Sequence, residues 1–402
     1  MTLLLAALLC CQDDDKGFLR LHEADIGIHG ETVDLSLSGI VDTEVYFVRK
    51  APPGLIFEEH DPLWNGRGTF FLDLSVGDHL FGFAQARADN GFDPHYDESL
   101  QMRLDEWFAR YSTDTGGVSL SLQAGKFATP IGNFVPRHDS MHNPLVRSPL
   151  PYDFMNTLGD GGPPPPNNAF ITRRDLATDL KHKWTTMIWG PLYGRGAMVF
   201  ASAGRWDARV AFTNTAPGER PPEWNWNHDD LHDMGWSGRV GWNPFIGFKL
   251  GLSGAYGPYL RHVAQSLMPP GTHTQDYAQK LVGIDLEYSL GHLILFGEAF
   301  ASEWEAPVIN GDLRAFSWYV EAKYKILPGL FVATRLNQML FNRIPTSNGS
   351  MTWDRDTTRI EFGAGYFVFV NLLVKAQYEF NVQRGPSDPK DDLGSLSVSM
   401  SW

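Results

Sequence analysis

Two histidine pairs, His138/His142 and His228/His232, have a spacing that could hold a metal ion. On a helix, His-x-x-x-His sets both imidazoles on one face, where a cation could bind. Neither stretch reads as a stable helix, and Asp229, Asp230 and Asp233 suit a solvated acidic tip. No metal site is expected. The usual nucleophile signals are missing as well. "GLSGA" lacks the Gly-x-Ser-x-Gly spacing, and "FGAGYF" sits in an alternating strand, not in a dinucleotide-binding turn. No Ser/His/acid set can be assembled, so the reading is a non-enzyme with no cofactor. Trp224, Trp226 and Trp236 could stack on sugar rings, or could cover a loop or sit at an interface.

A denser set of charged groups falls in one stretch. Between residues 128 and 194 lie Arg137, His138, Asp139, Arg147, Asp153, Arg173, Arg174 and Asp175, around a stiff "GDGGPPPPNN". Charges that ring an aqueous passage decide which ions it admits, and opposed Arg and Asp groups orient dipolar solutes. On a surface loop the same charges would only solvate the chain. So long a connection is uncommon unless it has a task. The expectation is that 128–194 folds inward and narrows a passage.

Walls for such a passage are written in the rest of the chain. From Val33 onward, stretches of about ten residues alternate apolar and polar side chains, the period of a strand. In "RIEFGAGYFVFV", Ile360, Phe362, Ala364, Tyr366, Val368 and Val370 share one face, with Arg359 and Glu361 opposite. The last stretch, "LGSLSVSMSW", sets Leu396, Val398, Met400 and Trp402 against four serines. The stretches near 81–87 and 102–111 do not reveal which face is which. Polar faces elsewhere present Asp34, Asp42, Glu44, Asp73, Asp285, Glu287, Glu321 and Glu379 with Arg209, Arg239, Lys249, Lys323, Arg335 and Lys375. Both signs are mixed, with acid slightly ahead, which predicts weak ionic selectivity.

The connections alternate strictly. Tight Gly/Pro/Asn turns such as "VGD", "SLGH" and "LPG" follow long polar segments including 128–194, 215–233, 257–279 and 342–356. The tally is about sixteen strands between residue 33 and the end. Strands of ten residues with short turns at one end and long loops at the other predict an all-β transmembrane antiparallel up-and-down barrel. Hydrocarbon gives backbone polar groups no partner, so only helices or a closed sheet can cross it. No run approaches the roughly 20 apolar residues of a spanning helix. A secreted soluble β protein, such as a propeller or double sandwich, also alternates, but its turns do not sort into two length classes.

The totals agree. With 33 Lys and Arg against 47 Asp and Glu, the net charge of −14 disfavours nucleic acid. The two cysteines, Cys10 and Cys11, lie at the N-terminus, and the rest of the chain has none. "MTLLLAALLCC" looks like an export signal without its basic start, so 1–16 is expected to be a signal peptide or its remnant, with 17–402 as one barrel domain. Tyr288, Trp318, Tyr324, Tyr378 and Trp402 are expected near strand ends, where aromatic girdles meet the membrane surface.

The terminal strand resembles the recognition signal read by the barrel-assembly machinery, with Trp402 in place of the usual Phe. "LDEWFARYSTDTGGVSLSLQAGKFATPIGNF" resembles a strand pair of sixteen-stranded Gram-negative outer-membrane porins related to the phosphate- and pyrophosphate-selective group, through Gly125, Lys126, Phe127, Pro130 and Gly132. The resemblance implies a water-filled channel for passive diffusion of small hydrophilic solutes, an outer membrane with lipid and lipopolysaccharide around the barrel, and a homotrimer. Phosphate preference is not implied, since it needs a dense basic lumen. A scaffold barrel sheathing a partner protein is the other reading the pattern allows.

Overall fold

A computed structural model describes residues 26–30, 32–48, 53–56, 62–89, 100–176, 184–219, 234–384 and 392–402. The proposed signal 1–16 with Cys10 and Cys11, the pair His228/His232, Asp229, Asp230, Asp233, Trp224 and Trp226 lie outside these residues.

Sixteen strands form the wall: β1 (Val33–Val48), β2 (Leu63–Val76), β3 (Leu80–Asp89), β4 (Gln101–Thr115), β5 (Val118–Ala128), β6 (Tyr193–Ala203), β7 (Trp206–Thr213), β8 (Gly235–Trp242), β9 (Phe248–Pro258), β10 (Ala278–Leu290), β11 (Leu293–Trp304), β12 (Leu313–Leu327), β13 (Leu330–Phe341), β14 (Thr357–Phe369), β15 (Leu372–Gln383) and β16 (Leu393–Ser401). Each pairs antiparallel with the next, and β16 returns to β1 from Ile40↔Ser401 to Val48↔Leu393. The sheet is a closed barrel, which removes the edges that would otherwise recruit other strands. A short strand, Ile26–His29, pairs with Asp34–Leu37 of β1, below the reach of β16.

Six of the seven short turns carry a glycine at positive φ, as at Gly77 and Gly291, where the chain must reverse within two or three residues. The seam is local too. The Trp402 amide donates to Gly39 O at 3.1 Å and the Gly39 amide donates to Trp402 O at 3.2 Å. A Cβ on Gly39 would run into the Trp402 ring, so this glycine is the ring's seat.

The faces sort as the alternation predicts. Ile360, Phe362, Tyr366, Tyr378 and Leu396 are exposed on the outside, while Glu321, Arg335, Glu361 and Glu379 are fully buried on the inside. Tyr288, Tyr324 and Trp402 lie close to strand ends; Trp318 and Tyr378 sit nearer mid-strand, so the expected girdle loses two members. The ambiguous stretches are resolved by a bulge. Gln85 pairs with Glu106 but Ala86 pairs with Leu104, leaving Asp105 as an extra residue in β4. Beyond it Glu106, Phe108 and Arg110 continue one face beside Phe81 and Phe83 of β3.

The inner face is not uniformly polar. Trp304, Phe300, Tyr319 and Phe341 of β11–β13 are buried with Phe134, Leu150, Tyr152 and Phe154 of the long segment after β5. That apolar contact gives the segment a core of its own against the β11–β13 wall.

Candidate solute path

The segment between β5 and β6 is anchored residue by residue to the wall. It begins at Gly132 (φ 65°), where a Cβ would meet the Glu298 carboxylate and the Tyr152 hydroxyl. The Gly132 amide donates to Ser253 Oγ at 3.0 Å. Glu298 of β11 then accepts from the amides of Asn133 and Phe134 and from Tyr152 OH, the last at 2.8 Å. Across the barrel, Lys375 of β15 donates to three carbonyls, Ser140 at 2.8 Å, Asn143 at 3.1 Å and Leu145 at 3.0 Å. Ser140 donates to Asp42 of β1.

Among the charges expected on this segment, three are drawn into the wall. Arg137 donates to Glu321 at 2.7 Å and to Tyr319 OH at 2.8 Å, with its guanidinium 3.9 Å from the Phe296 ring centre. Arg147 pairs with Asp153 at 2.5 Å, and Asp153 accepts from Arg359 of β14 at 2.7 Å. Asp139 serves a local role: it caps Met141 N and His142 N and bonds His142 Nδ1 at 2.8 Å. Burial would raise the Asp139 carboxyl, but these bonds outweigh it and hold it below the usual range, while the same contact lifts His142 above its own. Arg174 and Asp175 go elsewhere. They bond Thr352 O at 2.7 Å and Arg355 at 2.6 Å in the connection before β14, at the long-loop end of the barrel. The Arg173 side chain beside them makes no hydrogen bond or ion pair among the described residues.

The expected lining residues fall on the inner face and most are paired. Arg335 lies between Glu321 and Glu361 at 2.6 and 3.2 Å. Arg239 bonds Asp285 at 2.7 Å and Asp207 at 3.3 Å. Lys249 meets Glu287 at 3.0 Å, Asp34 meets His29 at 2.7 Å, Arg147 is 3.7 Å from Glu379, and the Lys323 ammonium stands 4.2 Å from the Phe331 ring centre. Glu44 accepts from Tyr46 OH.

Two cavities flank His138. One of about 170 Å³ is lined by Glu44, Asn65, Arg67, Arg87, Ser140 and Arg147. The other, about 370 Å³, is lined by Asp73, Phe81, Phe83, Phe108, Arg110 and Phe200, with Thr129–Gly132 of the segment against it. His138 and Tyr193 line both. Loss of solvent holds the His138 imidazole below its ordinary range; Asp139 and the Val135 carbonyl oppose this, and Arg67 and Arg87 reinforce it. Arg67, Arg87 and Arg110 were not singled out from sequence. Their strands carry glycines or inward phenylalanines where a clean alternation would show small polar residues.

No family model matches this sequence, and no curated protein matches it. Solved structures do share the fold. An anion-selective porin from Comamonas acidovorans superposes with a TM-score of 0.56 at 12% identity, over 92% of this chain and 99% of that one. The outer membrane channel DcaP of Acinetobacter baumannii gives 0.55 at 10%, over 94% and 99%. OmpT, an outer membrane protein of Vibrio cholerae in its trimer form, gives 0.54 at 12%, over 92% and 100%. At such identities the likeness is one of architecture. The fold it shows is the closed antiparallel barrel of sixteen strands.

Proposed function

We propose that this chain is an outer-membrane porin of a Gram-negative cell, a water-filled channel through which small hydrophilic solutes and ions diffuse passively. The observation that carries the reading is the sorting of the closed sheet: an apolar exterior suited to lipid and a charged interior. The segment 129–192 folds into the lumen as its constriction. Its support is the set of hydrogen bonds to inward groups on β1, β9, β11, β12, β13, β14 and β15. Because Arg239, Arg335, Arg137 and Arg147 each have a carboxylate beside them, the lumen's net field is small and selectivity between inorganic ions is weak. Passive transport asks for no reacting group, and catalysis is not part of this reading.

Three finer elements belong to the same proposal. Gly125, Lys126, Phe127 and Gly132, which resemble the phosphate-selective group, serve the turn into the lumen rather than phosphate: Lys126 Nζ donates to the Leu104 carbonyl at 2.8 Å. Leu396, Val398, Met400 and Trp402 form the assembly signal. The barrel is a homotrimer, as the OmpT structure in trimer form is. Proteoliposomes test the channel. Swelling rates should fall steeply with the size of an added sugar, and rates no faster than protein-free vesicles would contradict the reading. Cross-linking in detergent should give a band at three times the chain mass.

A further inference from the structure

We propose that the cavity beneath the start of the long segment is a binding site for small organic anions with a flat aromatic body, arene carboxylates above all; this rests on the channel reading and adds a substrate class to it. Four phenylalanines face inward here, an arrangement that water alone does not favour. Phe81, Phe83 and Phe108 form one patch, with ring centres 5.4 to 6.5 Å apart, and Phe200 lies across from them. The cavity's volume, about 370 Å³, is in the range of small-molecule sites and ample for a substituted benzene ring.

The charges beside this patch are of a particular kind. The Arg110 guanidinium lies 4.7 Å from the Phe200 ring centre, 5.1 Å from Phe108 and 5.9 Å from Phe81. Its Nε and Nη2 both donate to the neutral Gln123 Oε1, at 2.9 and 2.6 Å. Arg209 lies 5.7 Å from the same Phe200 ring. Among the described residues the Arg209 side chain makes no hydrogen bond or ion pair. Two guanidiniums thus approach one ring with no carboxylate bonded to either, whereas Arg239 in the same lining is bonded by Asp285 and Asp207. A guanidinium stacked on a ring keeps its N–H edge free for bidentate bonds to a carboxylate.

The acidic lining groups, Asp73 and Glu106, do not cancel this arrangement. Glu106 accepts from the Ala128 amide at 3.2 Å and is separated from Arg110 along β4 by Phe108. The order Glu106, Phe108, Arg110 on one face gives the cavity an acidic end, an aromatic floor and a cationic end. An arene ring on the phenyl floor with its carboxylate between Arg110 and Arg209 satisfies both requirements at once. Acetate lacks the ring, and benzamide lacks the charge.

The test is block of single-channel potassium chloride current by benzoate, acetate and benzamide, with saturation-transfer NMR of benzoate on the detergent-solubilised full chain as a second readout. Benzoate should block saturably, about tenfold more tightly than either control. Phe200→Leu and the double change Arg110→Gln/Arg209→Gln should each erase that margin, judged against the same variant's response to acetate. A conducting barrel that responds to benzoate no more than to acetate, in current and in NMR, overturns the site and leaves the channel standing. A barrel that binds benzoate in NMR but passes no current keeps the site and overturns the channel.

Discussion

At the scale of single residues, the interior is held by charges that satisfy backbone groups as well as each other. Lys375, 2% exposed, supplies its ammonium to three carbonyls of the long segment. Lys375→Met would leave those carbonyls without a donor, at about 1–3 kcal/mol for each one left buried. The expected result is a barrel that still forms but is cut by added protease within 138–147, where the native protein resists. Arg335, fully buried between Glu321 and Glu361, is the stronger case. Arg335→Leu leaves the buried Glu361 carboxylate without its ion-pair partner, with only Arg137 still bonded to Glu321, and unfolding in denaturant should show a loss of about 3–5 kcal/mol. His138 gives a pH effect whose sign is fixed by its environment. Its depressed pKa keeps it neutral at pH 7, and it gains charge only as pH falls below the ordinary imidazole range, beside Arg67 and Arg87. Reversal potentials in a salt gradient should therefore move toward anions on acidification, and the shift should be smaller in His138→Asn, which keeps the carboxylate titrations but lacks the imidazole.

At the scale of elements, β1 and β16 carry the closure, and Gly39 is its tightest point. Gly39→Val should push Trp402 out of its seat and slow folding, seen as a smaller fraction of heat-modifiable barrel on gels; normal folding would show that the ring's seat is dispensable. The same strands show what could be read from sequence. Alternation in β14, β15 and β16 is clean because their outer residues are mostly apolar and their inner ones mostly polar, so faces and seam were legible. β3 and β4 were not, since Phe81, Phe83 and Phe108 face inward and Asp105 adds a residue that breaks the period. In the segment, residue types alone singled out Arg137, Arg147 and Asp153 as candidate charges. Their partners, Glu321, Tyr319 and Arg359, lie on β12 and β14, a distance along the chain that local pattern cannot span. Arg174 and Asp175 have the same composition but bond Thr352 and Arg355 of the connection before β14, partners that composition alone does not reveal.

At the scale of the whole molecule, the lumen is asymmetric. The long segment packs against β11–β15 through an apolar core and the ion pairs Arg137–Glu321 and Asp153–Arg359, and the larger cavity lies along β2–β8. On the channel reading proposed above, solutes pass along the phenylalanine and arginine wall instead of down the axis. All of this requires that the apolar face meets lipid and the charged face meets water. Single-channel recording of the purified chain in planar bilayers tests that requirement most directly. The account predicts discrete ohmic steps that grow with salt concentration, with a reversal potential near zero in a potassium chloride gradient. A polypeptide that stays monodisperse without detergent and never raises the bilayer current would contradict it.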